Sequence, residues 1–354
     1  MRRVVIYSIS FIFIIVTFLF PFTQISDFGQ FWRASSDLSQ YIKGGALIFL
    51  YALFSLISFP PFLAALLVNL ASYFLLAWSF PSGRIASIIL LFIGLSWAAW
   101  APIINSDLPS AALIVAGTIL LLRDKYILTG ILLACGLSMR MQSLLVAVFV
   151  LIVLFVVSFR FTIPRRALLV LALAIAVGWG IDAGLKIPSI QQDEIAKSQR
   201  VPLYAGLIAT EPGPKCGEIT PYAKEIMLSQ QRQPLASVLD VPPNLPELLM
   251  CKWSKMILYG ASGSLWLQYT RNDRLLTVIF YVETFAVNAL KITCLALLFL
   301  YRKSKITWLA LLIVIGYLGL HTVFEIQPRY LIPPIALSLT LCLNTFTDKR
   351  IPLG

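Results

Sequence analysis

Charge is what this sequence has least of. Asp, Glu, Lys and Arg make up 12% of its 354 residues and hydrophobic residues 59%, against roughly 25% and 45–50% in soluble globular proteins. That balance excludes an ordinary soluble protein and describes an all-α polytopic membrane protein. Internal repeats, low-complexity tracts and a separate soluble domain are also lacking. No small-residue cleavage site follows the first apolar run, Val4 to Phe20, so that run reads as a retained helix rather than a cleaved signal. Histidine occurs once, as His321. Cysteine is sparse: Cys135, Cys294 and Cys342 lie inside apolar runs as packing residues, while Cys216 and Cys251 share the one long polar segment. There they form a disulfide or stay free thiols.

The cations that are present sit in short clusters between apolar runs. A net charge of +12 distributed in this way is an orientation signal, not a nucleic-acid footprint. Apolar periodicity and length predict helices near 4–20, 62–80, 85–101, 107–122, 126–139, 143–158, 167–183, 274–300, 306–323 and 330–346, about ten crossings, or eleven with an extra segment. Arg2/Arg3, Arg84, Arg123/Lys125, Arg160/Arg165/Arg166, Arg302/Lys303/Lys305 and Lys349/Arg350 then share one side, the cytoplasmic one, with both termini. Ala46 to Phe59 is short and ends at Pro60-Pro61; counting it as a crossing breaks the charge pattern, so a shallow or re-entrant segment is expected. The chain divides into an N-terminal membrane module (1–185) with a first outer loop (21–45), an extracytoplasmic region (186–273) rich in Pro, Gln and charge, and C-terminal helices (274–354).

With this orientation Asp27, Asp107, Arg140, His321, Glu325 and Arg329 all fall at outer helix ends or just beyond, and the helix centres are expected to be clean apart from the stretch around Arg140. In "QISDFGQFWRASSDLSQYI" the residues Phe28, Phe31, Trp32, Ser35, Leu38 and Ile42 recur at three- and four-residue spacings. They predict an interfacial helix with its aromatic face in lipid, started by Ser26 or Asp27. Asp27 is either that helix's cap or a general base at the membrane surface. In "PIINSDLPSAALI", Ser106-Asp107 before Pro109 is an ordinary helix start. Asp107 could alternatively orient an acceptor hydroxyl, or share a divalent cation with Asp27 if the topology brings them together. Arg140, in "LSMRMQSLL", stands on the side that otherwise avoids cations, within snorkelling reach of an interface. In "HTVFEIQPRYLIPP", His321, Glu325 and Arg329 are spaced by four, and Pro328 interrupts their helix and turns Arg329 outward. That group is either an arginine paired with Glu325 or an anion site, since a guanidinium fork suits phosphate.

A base and a phosphate-binding arginine at one outer surface describe sugar transfer from a lipid-linked phosphate. At "SDFGQFWRASSDL", "NSDLPSAALIVAGTILLLRDKYILTGILLACGLSMRMQSLL" and "HTVFEIQPRYLIPPIALSL" the chain resembles the GT-C superfamily of integral-membrane glycosyltransferases, which includes protein O-mannosyltransferases and aminoarabinose transferases. The resemblance covers most of the helical part and omits the long outer segment. It implies an inverting transfer from a polyprenyl-phosphate sugar donor to an extracytoplasmic glycan, glycolipid or protein at the inner membrane. Asp27 matches the family's catalytic base and Arg329 its position near the donor phosphate, with His321 and Arg140 as further phosphate-binding candidates and Asp107 and Glu325 in support. The chain departs from the family at Phe28, where many relatives carry a second acidic residue. Two rivals stand beside this reading. An O-antigen polymerase or ligase would carry its acid–base centre in the outer loop, and a lipid or sugar transporter would carry charged or broken helices near the midplane.

Overall fold

The computed structural model describes residues 1–19, 28–41, 43–158, 164–188, 245–258, 274–324 and 328–347. Asp27, Glu325, Cys216, Arg160, Lys349 and Arg350, together with most of 186–273, lie outside these residues. Among the described residues all regular structure is helical: α1 (Arg2–Leu19), α2 (Phe28–Ser36), α3 (Ala46–Leu56), α4 (Pro61–Ser79), α5 (Arg84–Trp97), α6 (Asp107–Leu122), α7 (Tyr126–Ser138), α8 (Met141–Ser158), α9 (Arg165–Lys186), α10 (Leu245–Leu258), α11 (Arg274–Leu300), α12 (Lys305–Val323) and α13 (Ile332–Thr347), with short 3-10 turns between some of them. Five of these, α1, α4, α9, α11 and α12, contain stretches long and apolar enough to cross a membrane; α3, α5, α6, α7, α8 and α13 are apolar but shorter. Each of the ten expected long helices has a counterpart within a few residues. The pattern of apolar run and polar break is sufficient to set those limits.

Long-range contacts orient the bundle. Arg2 at the start of α1 donates to the Ala77 carbonyl in the last turn of α4, and Asn344 in α13 donates to Ser79 O at 3.3 Å. Ser338 Oγ of α13 donates to Ala310 O of α12 at 3.1 Å. Tyr330, just before α13, stacks on His321 near the end of α12 at 5.0 Å, so these two helices run antiparallel. Following the chain from these points puts Arg84, Arg123, Arg165, Arg166, Arg302, Lys303 and Lys305 at one end of the bundle, the basic end. The helices keep large apolar side chains on the outside, among them Phe11 of α1, Trp179 of α9 and Phe299 of α11, while Phe13, Tyr73, Trp97 and Trp100 fill the centre.

The opposite end is irregular. Gly45 opens α3 with φ 47°, and a Cβ there would lie 2.1 Å from the Ser138 carbonyl oxygen at the end of α7. Ala46 N also donates to Ser138 Oγ at 3.0 Å. α3 ends just before Pro60-Pro61, where α4 starts with Phe62 against Phe18 of α1. Both ends of α3 therefore sit at the same end of the bundle. Gly45→Ala adds a clash to a backbone geometry that alone costs about 1–3 kcal/mol for a residue with a Cβ. A fall in the thermal midpoint of at least that equivalent is expected, whereas Gly29→Ala, in open space, should shift it little.

Two expectations are corrected here. The aromatic face of α2 does not lie in lipid: Phe31 is 3% exposed, sits against Gly44, and Trp32 packs edge-on to Tyr51 of α3 at 6.4 Å. α3 supplies an apolar partner that the local sequence does not reveal. Nor are the helix centres clean. Glu283 is 1% exposed within α11, and Lys291, farther along the same helix, donates to Ile257 O at the end of α10 at 3.2 Å. Asn69 lies midway along α4.

Candidate functional site

The site is built around a buried loop. Asn69 donates its amide to three carbonyls, Trp100 O at 3.2 Å, Ala101 O at 3.0 Å and Ile103 O at 3.2 Å, and accepts from Asn105 Nδ2 at 3.3 Å. Asn105 Oδ1 in turn accepts from the backbone N–H groups of Asp107 and Leu108, each at 3.2 Å. Asn105 thus caps α6, and Ser106 makes no side-chain cap bond. The reading of Ser106-Asp107 as the cap is corrected: the capping acceptor comes from upstream, which leaves the Asp107 carboxylate for another partner.

That partner is Arg140. The Asp107 carboxylate and the Arg140 guanidinium form an ion pair in which the residues are 4% and 7% exposed, so Arg140 does not snorkel. It occupies the break between α7 and α8, its carbonyl accepting Leu144 N at 3.1 Å. α6 and α7 are held together beside the pair by Ser110 Oγ donating to Gly136 O at 2.8 Å and by Gly117 and Gly136, whose missing side chains admit Leu133 and Ile114.

Above the guanidinium lies an aromatic column. The Arg140 Cζ is 4.7 Å from the centroid of the Tyr330 ring. Tyr330 stacks on His321 at 5.0 Å and 25°, and His321 on Tyr317 at 6.4 Å and 29°. The Tyr317 hydroxyl shares a 2.7 Å hydrogen bond with Ser143 Oγ. α12 contributes Tyr317 and His321, the 3-10 turn Pro328–Leu331 contributes Tyr330, and α8 contributes Ser143. His321 is 0% exposed.

These groups are recessed. The Asn69 amide marks the depth of the loop before α6, and α4 continues from it to Pro61, about 12 Å at 1.5 Å per residue. Gly178 of α9 packs against Ser138, and α9 likewise continues about 12 Å beyond it to Lys186. The segment that leads into α3 is tied to α9 beside these groups. The Tyr41 hydroxyl donates to Asp182 Oδ1 at 2.5 Å and accepts from Gly45 N at 2.8 Å, and Asp182 also pairs with Lys186 at 2.5 Å. Burial, then the Asp182 charge, pushes the Tyr41 phenol well above its usual range. On another side, α10 clamps the end of α12: Lys252 Nζ donates to Thr322 O at 2.7 Å and Phe324 O at 3.0 Å, and Trp253 Nε1 to Thr322 Oγ1 at 3.2 Å. Burial brings the Lys252 ammonium down to about 8. Cys251 on this helix is disulfide-bonded, while Cys135, Cys294 and Cys342 are free. Trp100, in the buried loop, donates to Glu283 Oε1 at 3.2 Å.

Of the residues singled out from sequence, Asp107, Arg140 and His321 come together. α12 ends at Val323, ahead of Pro328. Arg329 has its backbone in the turn next to Tyr330, and its side chain lies outside the described residues, as do Asp27 and Glu325. Sequence reading missed Tyr330, Tyr317, Asn69, Asn105, Lys252 and Glu283. Asn69 and Glu283 carry a legible signal, a polar side chain inside an apolar run; the tyrosines carry none, since aromatic residues are ordinary in such runs. Replacing Asn69 with Leu leaves buried carbonyls without their donor, each such loss costing about 1–3 kcal/mol. The expected result is a lowered thermal midpoint, with Asn69→Asp no better because a carboxylate donates nothing to carbonyls.

Among the described residues no group of three His, Cys, Asp or Glu side chains could hold a metal ion. No protein-family profile, curated protein or solved structure matches this chain.

Proposed function

We propose that the protein is an integral-membrane glycosyltransferase of the GT-C kind. In this reading it lies in the inner membrane with both termini and the basic end cytoplasmic, and moves a sugar from a polyprenyl-phosphate donor to an extracytoplasmic glycan, glycolipid or protein. The observation that carries the reading is the buried Arg140, paired with Asp107 and stacked through Tyr330 onto His321, at the end of the bundle opposite Arg84, Arg123 and Arg302. A guanidinium held beside an aromatic column offers a planar fork to an anionic phosphate and a flat apolar wall to what is attached to it. α2 is moored beside it through Gly44, Gly45 and Tyr41, and Asp27 immediately precedes α2 in the chain.

In the proposed reaction Asp27 takes the acceptor hydroxyl's proton as that oxygen attacks the anomeric carbon from the face opposite the phosphate. The bond to phosphate breaks with inversion, and Arg329, Arg140 and His321 hold the leaving phosphate. Glu325 and, in the resting protein, Asp107 support these groups. A divalent cation at Asp107 would have to share that carboxylate with the Arg140 cation, so this reading uses none.

Glu283 and Lys291 inside α11 favour a second reading, transport of a lipid or sugar. Incubating the purified protein with a panel of radiolabelled polyprenyl-phosphate sugars and candidate acceptors decides between them. Release of polyprenyl phosphate with label in an acceptor is expected; a panel in which every donor stays intact while labelled lipid crosses vesicle bilayers sinks the transferase.

A further inference from the structure

We propose that the Asp107 carboxylate is a built-in stand-in for the lipid-linked phosphate: it holds Arg140 in the resting protein and yields it when the donor's phosphodiester, or the polyprenyl phosphate left after transfer, occupies the site. The inference deepens the transferase reading and rests on it for the identity of the ligand.

Three observations point this way. Asp107 begins α6, but its carboxylate is not engaged as the cap, because Asn105 fills that role; its placement against Arg140 is therefore not a by-product of starting the helix. Arg140 interrupts α7 and α8 and is fixed from the other side by the Tyr330 ring, so it stays aimed when its partner changes. The pair is almost fully buried, where a guanidinium without an anion is strongly disfavoured and some anion must always be present. A carboxylate presents two acceptor oxygens to a guanidinium in the way a phosphate does. Nothing covalent changes in the exchange: one anion leaves the guanidinium and another takes its place, and the freed Asp107 is left next to the bound phosphate. Repulsion between those anions would keep donor affinity modest and hasten departure of polyprenyl phosphate once the sugar has gone.

The sign of this effect separates it from an ordinary supporting role. A carboxylate that helps bind the donor weakens binding when removed, whereas a competitor strengthens it. If Asp107 occupies Arg140 in nine-tenths of molecules, removing it tightens apparent affinity about tenfold.

The test uses the full-length protein in detergent or nanodiscs, with farnesyl phosphate, inorganic phosphate and, as neutral control, farnesol, read by thermal shift and by quenching of tryptophan fluorescence. Asp107→Asn is expected to bind farnesyl phosphate about tenfold or more tightly than wild type, and to gain more thermal stability from it, with farnesol silent. Equal gains from inorganic phosphate locate the recognition in the phosphate group alone and support the exchange. Gains from inorganic phosphate only, with none from farnesyl phosphate, overturn the link to a lipid-phosphate ligand. Binding by Asp107→Asn equal to or weaker than wild type overturns the proposal. Should Asp107→Asn not fold, the neutral pair Asp107→Asn with Arg140→Gln carries no lone buried charge; loss of wild-type farnesyl phosphate binding in it is the expected result, and retained binding removes Arg140 as the site. Sugar transfer in the donor panel without tighter binding by Asp107→Asn defeats only this inference. Tighter binding without transfer from any donor defeats only the transferase.

Discussion

Replacing Arg140 with Met lowers the unfolding free energy by about 3–5 kcal/mol, the range found when one member of a buried ion pair is removed and the other stays. Met keeps the apolar stem of the side chain, so most of the loss is electrostatic, with a smaller packing loss where the guanidinium was. What remains is Asp107, 4% exposed, with its counter-charge gone. The Tyr330 ring also loses its cation, a further term of about 0.5–2 kcal/mol. The companion measurement is the double variant Asp107→Asn with Arg140→Gln. With neither charge present the burial penalty disappears, and its midpoint should return most of the way to wild type. A single Arg140→Met variant as stable as wild type, or a double variant no better than the single one, would contradict the ion pair as a buried element of this fold.

Asp27→Asn is expected to reduce sugar transfer by about 10²–10⁴-fold, the contribution of a positioned general base, while leaving the thermal midpoint close to wild type. The separation of the two readouts is what matters. Asp27 directly precedes α2, and the contacts that moor the segment, Phe31 on Gly44 and Tyr41 on Asp182, lie downstream of it. Loss of one carboxylate at the start of α2 should therefore leave those contacts in place. A helix-capping role alone predicts that transfer continues near its normal rate in the Asn variant, and that stability falls only with Asp27→Ala, by about 0.5–2 kcal/mol. Asn is chosen because it retains capping ability while it cannot take the acceptor's proton. Transfer by the Asn variant at a rate near wild type would strip Asp27 of the base role.

The helices themselves were legible. Val4 to Phe20 was expected and Arg2–Leu19 is observed; 274–300 was expected and Arg274–Leu300 is observed. α10 was not foreseen, because "LPELLMCKWSKMIL" is too short and too charged to resemble a crossing, and its reason for being helical is the set of partners that Lys252 and Trp253 find on α12. α5 stops at Trp97 and passes into the 3-10 turn Ala98–Trp100, where the expected helix ran to 101. The carbonyls released there are taken up by Asn69, a residue on another helix. The candidate site was half visible. Asp107, Arg140 and His321 stood out because each is costly in an apolar context, so each advertises that something must compensate for it. What compensates was hidden: Arg140 reaches Asp107 and Tyr330, and His321 stacks between two tyrosines.

Helix limits and the gathering of cations at one end depend on the solvation of each residue and on its near neighbours, and both can be read along a line of text. The pairing of Asp107 with Arg140, of Asn69 with the loop before α6, and of Ser143 with Tyr317 joins residues far apart in the chain. Such contacts exist only once the helices have packed, since many packings are compatible with the same apolar faces and the geometry of close approach, through residues such as Gly45, Gly117 and Gly136, selects among them.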